Sequence, residues 1–158
     1  MDPLPDARRG WARRAQLLLQ LFVAFLCGFH LVVGLALSFS ADFQIWITGL
    51  YAPELEATPQ TTYLVRVLGT FAFAMGLVLV PAVRDPQRHW AVIAAFITFF
   101  VLRNLSRHLY ADELYAGFGV SPAVNLLTSV FFTLQIFVLI GLLLATRRPA
   151  TSQPAADA

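Results

Sequence analysis

Four apolar runs decide what this chain can become. They lie at roughly 16–39, 63–83, 90–110 and 123–146, and each approaches or exceeds the ~20 residues a helix needs to cross a bilayer. A soluble domain of 158 residues has no room to bury four such runs. Hydrophobic residues make up 58% of the chain and charged residues 13%, against roughly 45–50% and 25% in soluble domains, and the mean hydropathy is +0.70. Nine acids and eleven bases cannot cover a globule of this size, so the excess apolar side chains must face lipid. The expected class is all-α: one four-helix transmembrane bundle over 16–146, with the N and C termini cytoplasmic. Residues 1–15 read as an N-terminal cytoplasmic tail and 147–158 as a disordered C-terminal one. The ends, Met1 to Pro5 and Pro149 to Ala158, have too little to bury to hold a structure.

Three helix starts carry one local signal, a small polar residue followed by proline: Thr58-Pro59, Asp85-Pro86 and Ser121-Pro122. The polar side chain caps free N–H groups, and proline suits the first helical position because its missing donor costs nothing there. From those prolines to Val83, Tyr110 and Thr146 each helix spans about 25 residues, or about 37 Å. Between the first two runs, Phe43, Ile45, Trp46, Ile47, Leu50 and Tyr51 are too few to cross a membrane. They are apolar enough to lie in the interface and cap the outer end.

All eleven bases are arginine. Arg8, Arg9, Arg13, Arg14, Arg84, Arg88, Arg147 and Arg148 flank one side, and only Arg66, Arg103 and Arg107 lie toward the other. That asymmetry places both termini inside. A net charge of +2, spread along the ends of apolar runs, excludes a nucleic-acid partner. The single cysteine, Cys27, allows neither an internal disulfide nor a cysteine zinc site. Arg13-Arg14 before an apolar core, followed by Ser38-Phe39-Ser40, also has the look of a signal peptide. The run exceeds the 7–15 residues of a signal core, so a retained span is expected.

Polar residues fall on the small-residue faces of these helices. In the first, Ala24, Cys27, His30 or Leu31, and Gly34 follow a three-four spacing that lets membrane helices approach closely. In the second, Arg66, Gly69, Ala72 or Phe73, and Gly76 repeat it, so Arg66 is expected to point inward. Phe96, Phe99 or Phe100, Arg103 and Arg107 form one stripe of the third, and two arginines four apart repel unless carboxylates or a ligand lie between them. Asn125, Thr128, Phe132 and Gln135 line the fourth.

By helical rise His30 lies about 4 Å, Arg103 about 6 Å, Arg66 about 10 Å and Arg107 about 12 Å outside the midplane. An arginine near the bilayer centre costs about 2.5–3.5 kcal/mol, so it calls for a partner or a hydrated cavity. His30, Arg66, Arg103, Arg107 and Asn125 are therefore the candidate ligand-binding residues. Asp42, Glu54, Glu56, Asp112 and Glu113 are the possible partners of the arginines. The plainer alternative has Arg66 and Arg107 snorkelling to the interface, or clamping outer loops through those carboxylates. No metal site is expected, because His89 and His108 lie at opposite ends, far from the depth of His30. HExxH, CxxC, Walker and GxGxxG motifs and the nucleophile elbow do not occur, so neither a cofactor nor a catalytic residue is assigned.

The four spans, the Arg66-Val67-Leu68-Gly69 start with Gly76 ten residues beyond Arg66, and the polar Arg103 to Arg107 segment ending the third helix resemble the DoxX-like group of small bacterial membrane proteins, which includes BphX-like families. The resemblance runs from the first helix to Thr146. It implies a bundle in a bacterial inner membrane with no cofactor of its own, which in some members works beside membrane redox or sulfur-oxidising enzymes and quinones. The expected role is an accessory or small-molecule-binding protein whose outer-leaflet cavity takes an anionic or quinone-like head group. Its partners would be the lipid bilayer, a hydrophobic small molecule or quinone, and a membrane protein. The alternatives are a component of a quinone-linked oxidoreductase whose redox centre sits in a partner, and a purely structural subunit.

Overall fold

The computed structural model describes residues 4–146, with side chains from Gly10 onward. The described residues form six helices: α1 (Leu4–Phe39), α2 (Ala41–Tyr51), α3 (Pro59–Arg84), α4 (Trp90–Leu109), α5 (Ala111–Phe118) and α6 (Pro122–Thr146). Of these, α1, α3, α4 and α6 are long and apolar enough to span a membrane. Their outward faces carry large apolar side chains open to the surroundings, among them Leu21 at 67%, Leu127 at 72% and Phe137 at 67% exposure. So continuous an apolar surface needs lipid around it. The chain is an all-α, multi-pass integral membrane protein.

Residues 1–3 and 147–158, on which most of the expected terminal disorder falls, lie outside the described residues. From Leu4 the chain is already helical, so residues 4–15 of the expected tail are continuous with the helix of the first span.

Two of the three proline signals mark helix starts. The Thr58 hydroxyl accepts from the Thr61 N–H at 3.2 Å while the Thr61 hydroxyl accepts from the Thr58 N–H at 2.9 Å, a reciprocal cap with Pro59 in the first helical position. Ser121 Oγ accepts from the Val124 N–H at 3.3 Å and opens α6. The third expectation is corrected. Asp85 ends α3, residues 86–89 form a turn, and α4 begins only at Trp90. Asp85 Oδ1 still accepts from the Arg88 N–H at 3.1 Å, but the bond closes a tight reversal between two antiparallel spans. The 20 residues of α4 reach about 30 Å, matching a hydrocarbon core.

The segment between the first two spans folds back as α2. Ser40 Oγ accepts from the Phe43 N–H at 3.3 Å, and Gln44 Nε2 donates to the Leu37 carbonyl at 2.6 Å. No sequence signal pointed to α5. It has Asp112 and Glu113 in its first turn, where the helix dipole favours them. It ends at Gly119, with φ 65°, where a β-carbon would lie 2.7 Å from Cβ of Glu54. The two short helices thus lie at the same end of the bundle, α5 reaching the loop that follows α2.

The most extensive helix pair is α1 with α3. Gly69 and Gly76 of α3 are buried in this seam, and Cys27 Sγ donates to the Gly76 carbonyl at 3.3 Å. Helix α1 also packs on α6, and α6 on α4, whereas α4 meets α3 only lightly. Phenylalanine fills the space that results. Phe100 lies 5.4 Å from Phe96 and 5.3 Å from Phe132, and Phe99 lies 5.9 Å from Phe71 across the α3–α4 side.

Candidate functional site

The five residues singled out from the sequence are treated differently by the fold. His30 is buried in α1, and its Nδ1 donates to the Leu26 carbonyl at 2.8 Å. Its ring stands edge-on to Phe96 at 5.2 Å and lies 6.2 Å from Phe100. That backbone bond satisfies one ring nitrogen locally, and apolar rings surround much of the imidazole.

Arg66 does not point inward: it is exposed. At 100° per residue Gly69 and Gly76 coincide to within about 20°, whereas Arg66 stands about 60° from the first and about 80° from the second. The three-residue step put it at the rim of the seam, and a helix contact tight enough to need glycine excludes a guanidinium.

Arg103 and Arg107 sit one turn apart on α4. The position of Arg103 falls within about 20° of buried Phe96 on the helical wheel, yet its side chain is exposed, with Cζ 4.6 Å from the centroid of the Phe132 ring. Its guanidinium is open to the surroundings. Arg107 is buried at 9% exposure, its Cζ 5.2 Å from the Tyr51 ring of α2. Its Nε and Nη2 are buried without a hydrogen-bond partner, as is the Tyr51 hydroxyl. Asp42, Glu54, Glu56, Asp112 and Glu113, the carboxylates expected to pair with the arginines, are all exposed.

Asn125 of α6 is buried and donates from Nδ2 to the Tyr115 hydroxyl of α5 at 3.2 Å, leaving its Oδ1 unpartnered. Tyr115 in turn lies within electrostatic reach of Arg107. Between α4 and α6, Asn104 Nδ2 donates to Thr133 Oγ1 at 2.9 Å and to the Ser129 carbonyl at 3.3 Å. Asn104 Oδ1, Ser129 Oγ and Gln135 Oε1 are further buried acceptors with free lone pairs.

The chain matches no protein-family model, no curated protein and no solved structure.

The fold therefore sets Arg107 and Asn125 at the same end of the bundle, each against a tyrosine of a short helix, leaves Arg103 exposed one turn deeper, holds His30 in the aromatic core and leaves Arg66 outside. Tyr51, Tyr115 and Ser129 belong to the polar cluster without having been singled out as site residues. For the tyrosines the signal was tertiary, since each lies on a short helix folded over the bundle end. For Ser129 it was visible, because Asn125, Ser129, Phe132 and Gln135 step down one buried face of α6.

Chemically, Nε and Nη2 of Arg107 form one edge of the guanidinium fork, the geometry that takes two oxygens of a carboxylate or phosphate. The Tyr51 hydroxyl is an additional donor, and Asn125 Oδ1 an acceptor. A hollow of about 350 Å³ opens above Tyr115, but Glu54 and Glu56 line it, so an anion entering there would meet like charge. Among the described residues no three His, Cys, Asp or Glu side chains come together to hold a metal.

Proposed function

We propose that this membrane protein binds an amphiphilic small molecule through an anionic or quinone-like oxygen-rich head group, and acts as an accessory to a membrane enzyme rather than as a catalyst. The observation that carries this reading is Arg107, a buried guanidinium whose Nε and Nη2 have no partner in the protein. A second arginine one turn away, open to the side of the bundle over Phe132, provides the way in. The ligand approaches within the membrane past Arg103, since the aqueous-facing hollow is acidic. Its head group engages Arg107 and Tyr51, its oxygens relieve the repulsion between the two arginines, and Phe100 and Phe132 wall its apolar part. The resemblance to the DoxX-like proteins supports the accessory role, beside a quinone-using or other redox partner in a bacterial inner membrane, with both termini cytoplasmic.

The test is purification in mild detergent, followed by extraction and mass spectrometry of the retained small molecules. An acidic or quinone-like amphiphile whose retention depends on Arg107 is expected at near-unit stoichiometry. Losing a charge-assisted hydrogen bond of about 1.5–3 kcal/mol should cut its retention at least about tenfold in Arg107→Gln. Wild-type protein carrying no such molecule, or equal retention by the variant, would overturn the assignment.

A further inference from the structure

The opposite end of the bundle, where the N-terminal part of α1 and the C-terminal part of α6 lie, contains a groove of about 1000 Å³. Its mouth is polar and basic: Gln16 of α1, Arg84 at the end of α3 and Arg88 of the following turn. Ala94 of α4 and Ile140 and Leu144 of α6 form an apolar wall that leads into the membrane. Hydrogen bonds tie together the elements around this space. Gln20 Nε2 donates to the Arg84 carbonyl at 3.1 Å, tying α1 to α3, and the Gln87 side chain donates to the Thr146 hydroxyl, tying the turn to α6. Both guanidinium groups belong to exposed residues. Asp85, the carboxylate at the mouth, has one oxygen engaged by the Arg88 N–H, so the two arginines outweigh it by one charge. Arg13, about one turn before Gln16 on α1, adds positive charge. Trp90, also lining the groove and 56% exposed, has the amphipathic ring that settles at head-group depth.

We infer that this groove is a binding site for an anionic phospholipid, with the phosphate on Arg84 and Arg88 and an acyl chain along the wall formed by Ala94, Ile140 and Leu144. Arginine takes phosphate oxygens in pairs, and basic pockets between membrane helices are suited to anionic lipid head groups. The volume far exceeds that of a free phosphate ion, and an apolar wall gives such an ion nothing. The site lies at the other end of the bundle from the one proposed under the two short helices; Arg107→Gln should leave phosphatidylglycerol retention here unchanged, so the two assignments stand or fall separately.

Delipidated protein reloaded with phosphatidylglycerol, phosphatidylcholine or inorganic phosphate, and read by native mass spectrometry, tests the inference. Wild-type protein should retain one phosphatidylglycerol at least tenfold better than phosphatidylcholine, with no competition from millimolar phosphate. Arg84→Gln with Arg88→Gln should abolish the preference. Ala94→Trp, which fills the apolar wall and leaves every charge in place, should lower phosphatidylglycerol retention, whereas Arg66→Gln at the other end should not. Equal retention of the two lipids, an unchanged preference in the double variant, or full retention by Ala94→Trp would overturn the proposal. Competition by phosphate as effective as that by phosphatidylglycerol would overturn the lipid assignment and leave a simple anion site.

Discussion

Gly34 and Gly69 face each other backbone to backbone: a β-carbon on Gly34 would stand 2.8 Å from the Gly69 carbonyl oxygen, and one on Gly69 would stand 2.9 Å from the Gly34 carbonyl oxygen. Neither neighbour is a side chain that can swing away. Further along the seam a β-carbon on Gly76 would meet the Leu31 backbone nitrogen at 2.8 Å. Small residues that admit close backbone approach are what hold helices together in lipid, where hydrophobicity distinguishes poorly between protein and solvent.

Gly69→Ala should therefore lose about 1–3 kcal/mol through overpacking. Gly28→Ala, at a helical glycine with nothing within 4 Å of the added carbon, should be neutral or slightly stabilising. Denaturation of both variants in the same detergent checks this, and similar curves would mean that the seam yields easily.

Arg107→Met should raise the melting temperature of ligand-free protein, because a buried guanidinium with unpartnered Nε and Nη2 is costly and its removal strands no carboxylate. Saturating the wild type with the identified ligand should reverse the order. A destabilised Arg107→Met protein would reveal a partner that Arg107 clamps.

The two cap-like side chains should give different exchange patterns. Thr58→Ala removes a reciprocal cap and should cost about 1 kcal/mol, with faster hydrogen exchange at the Thr61 amide. Asp85→Ala should speed exchange at Arg88, whose N–H it binds, and leave the first turn of α4 unchanged. Faster exchange throughout residues 90–93 would return Asp85 to the role of a helix cap.

Orientation can be read by thiol labelling, since the natural Cys27 is only 7% exposed and donates to Gly76, which keeps the background low. Cysteine at Arg88 should be shielded from an impermeant reagent in intact cells, and cysteine at Glu56 or Asp112 labelled. The reverse pattern would place both chain ends outside.

Spans were legible because their cause is local. Apolar length predicts Gly10–Phe39, Pro59–Arg84, Trp90–Leu109 and Pro122–Thr146 within a few residues at most ends, and Thr58 and Ser121 announce their helices through bonds to amides three residues on. Asp85 makes the same bond in a turn, and no local signal separates the two outcomes. Side-chain direction was legible only where the angular step is small: Phe96, Phe100 and Arg107 share the buried face of α4, while Arg66, a step of about 60° from Gly69, fell outside. The aromatic partner of Arg107 was not legible at all, because Tyr51 reaches it only after α2 has folded back over the bundle end.

Helix α6 is made after the other three spans, yet it supplies what they lack. Thr133 and Ser129 receive the amide of Asn104, and Phe132 lies beneath Arg103. A nascent chain halted before Pro122 would hold a finished hairpin of α1 and α3 beside an α4 whose amide and guanidinium have no α6 to meet. Closure of the bundle thus waits for α6. A chain that stops short of α6 would present the Asn104 amide and the Arg103 guanidinium unsatisfied in the membrane plane.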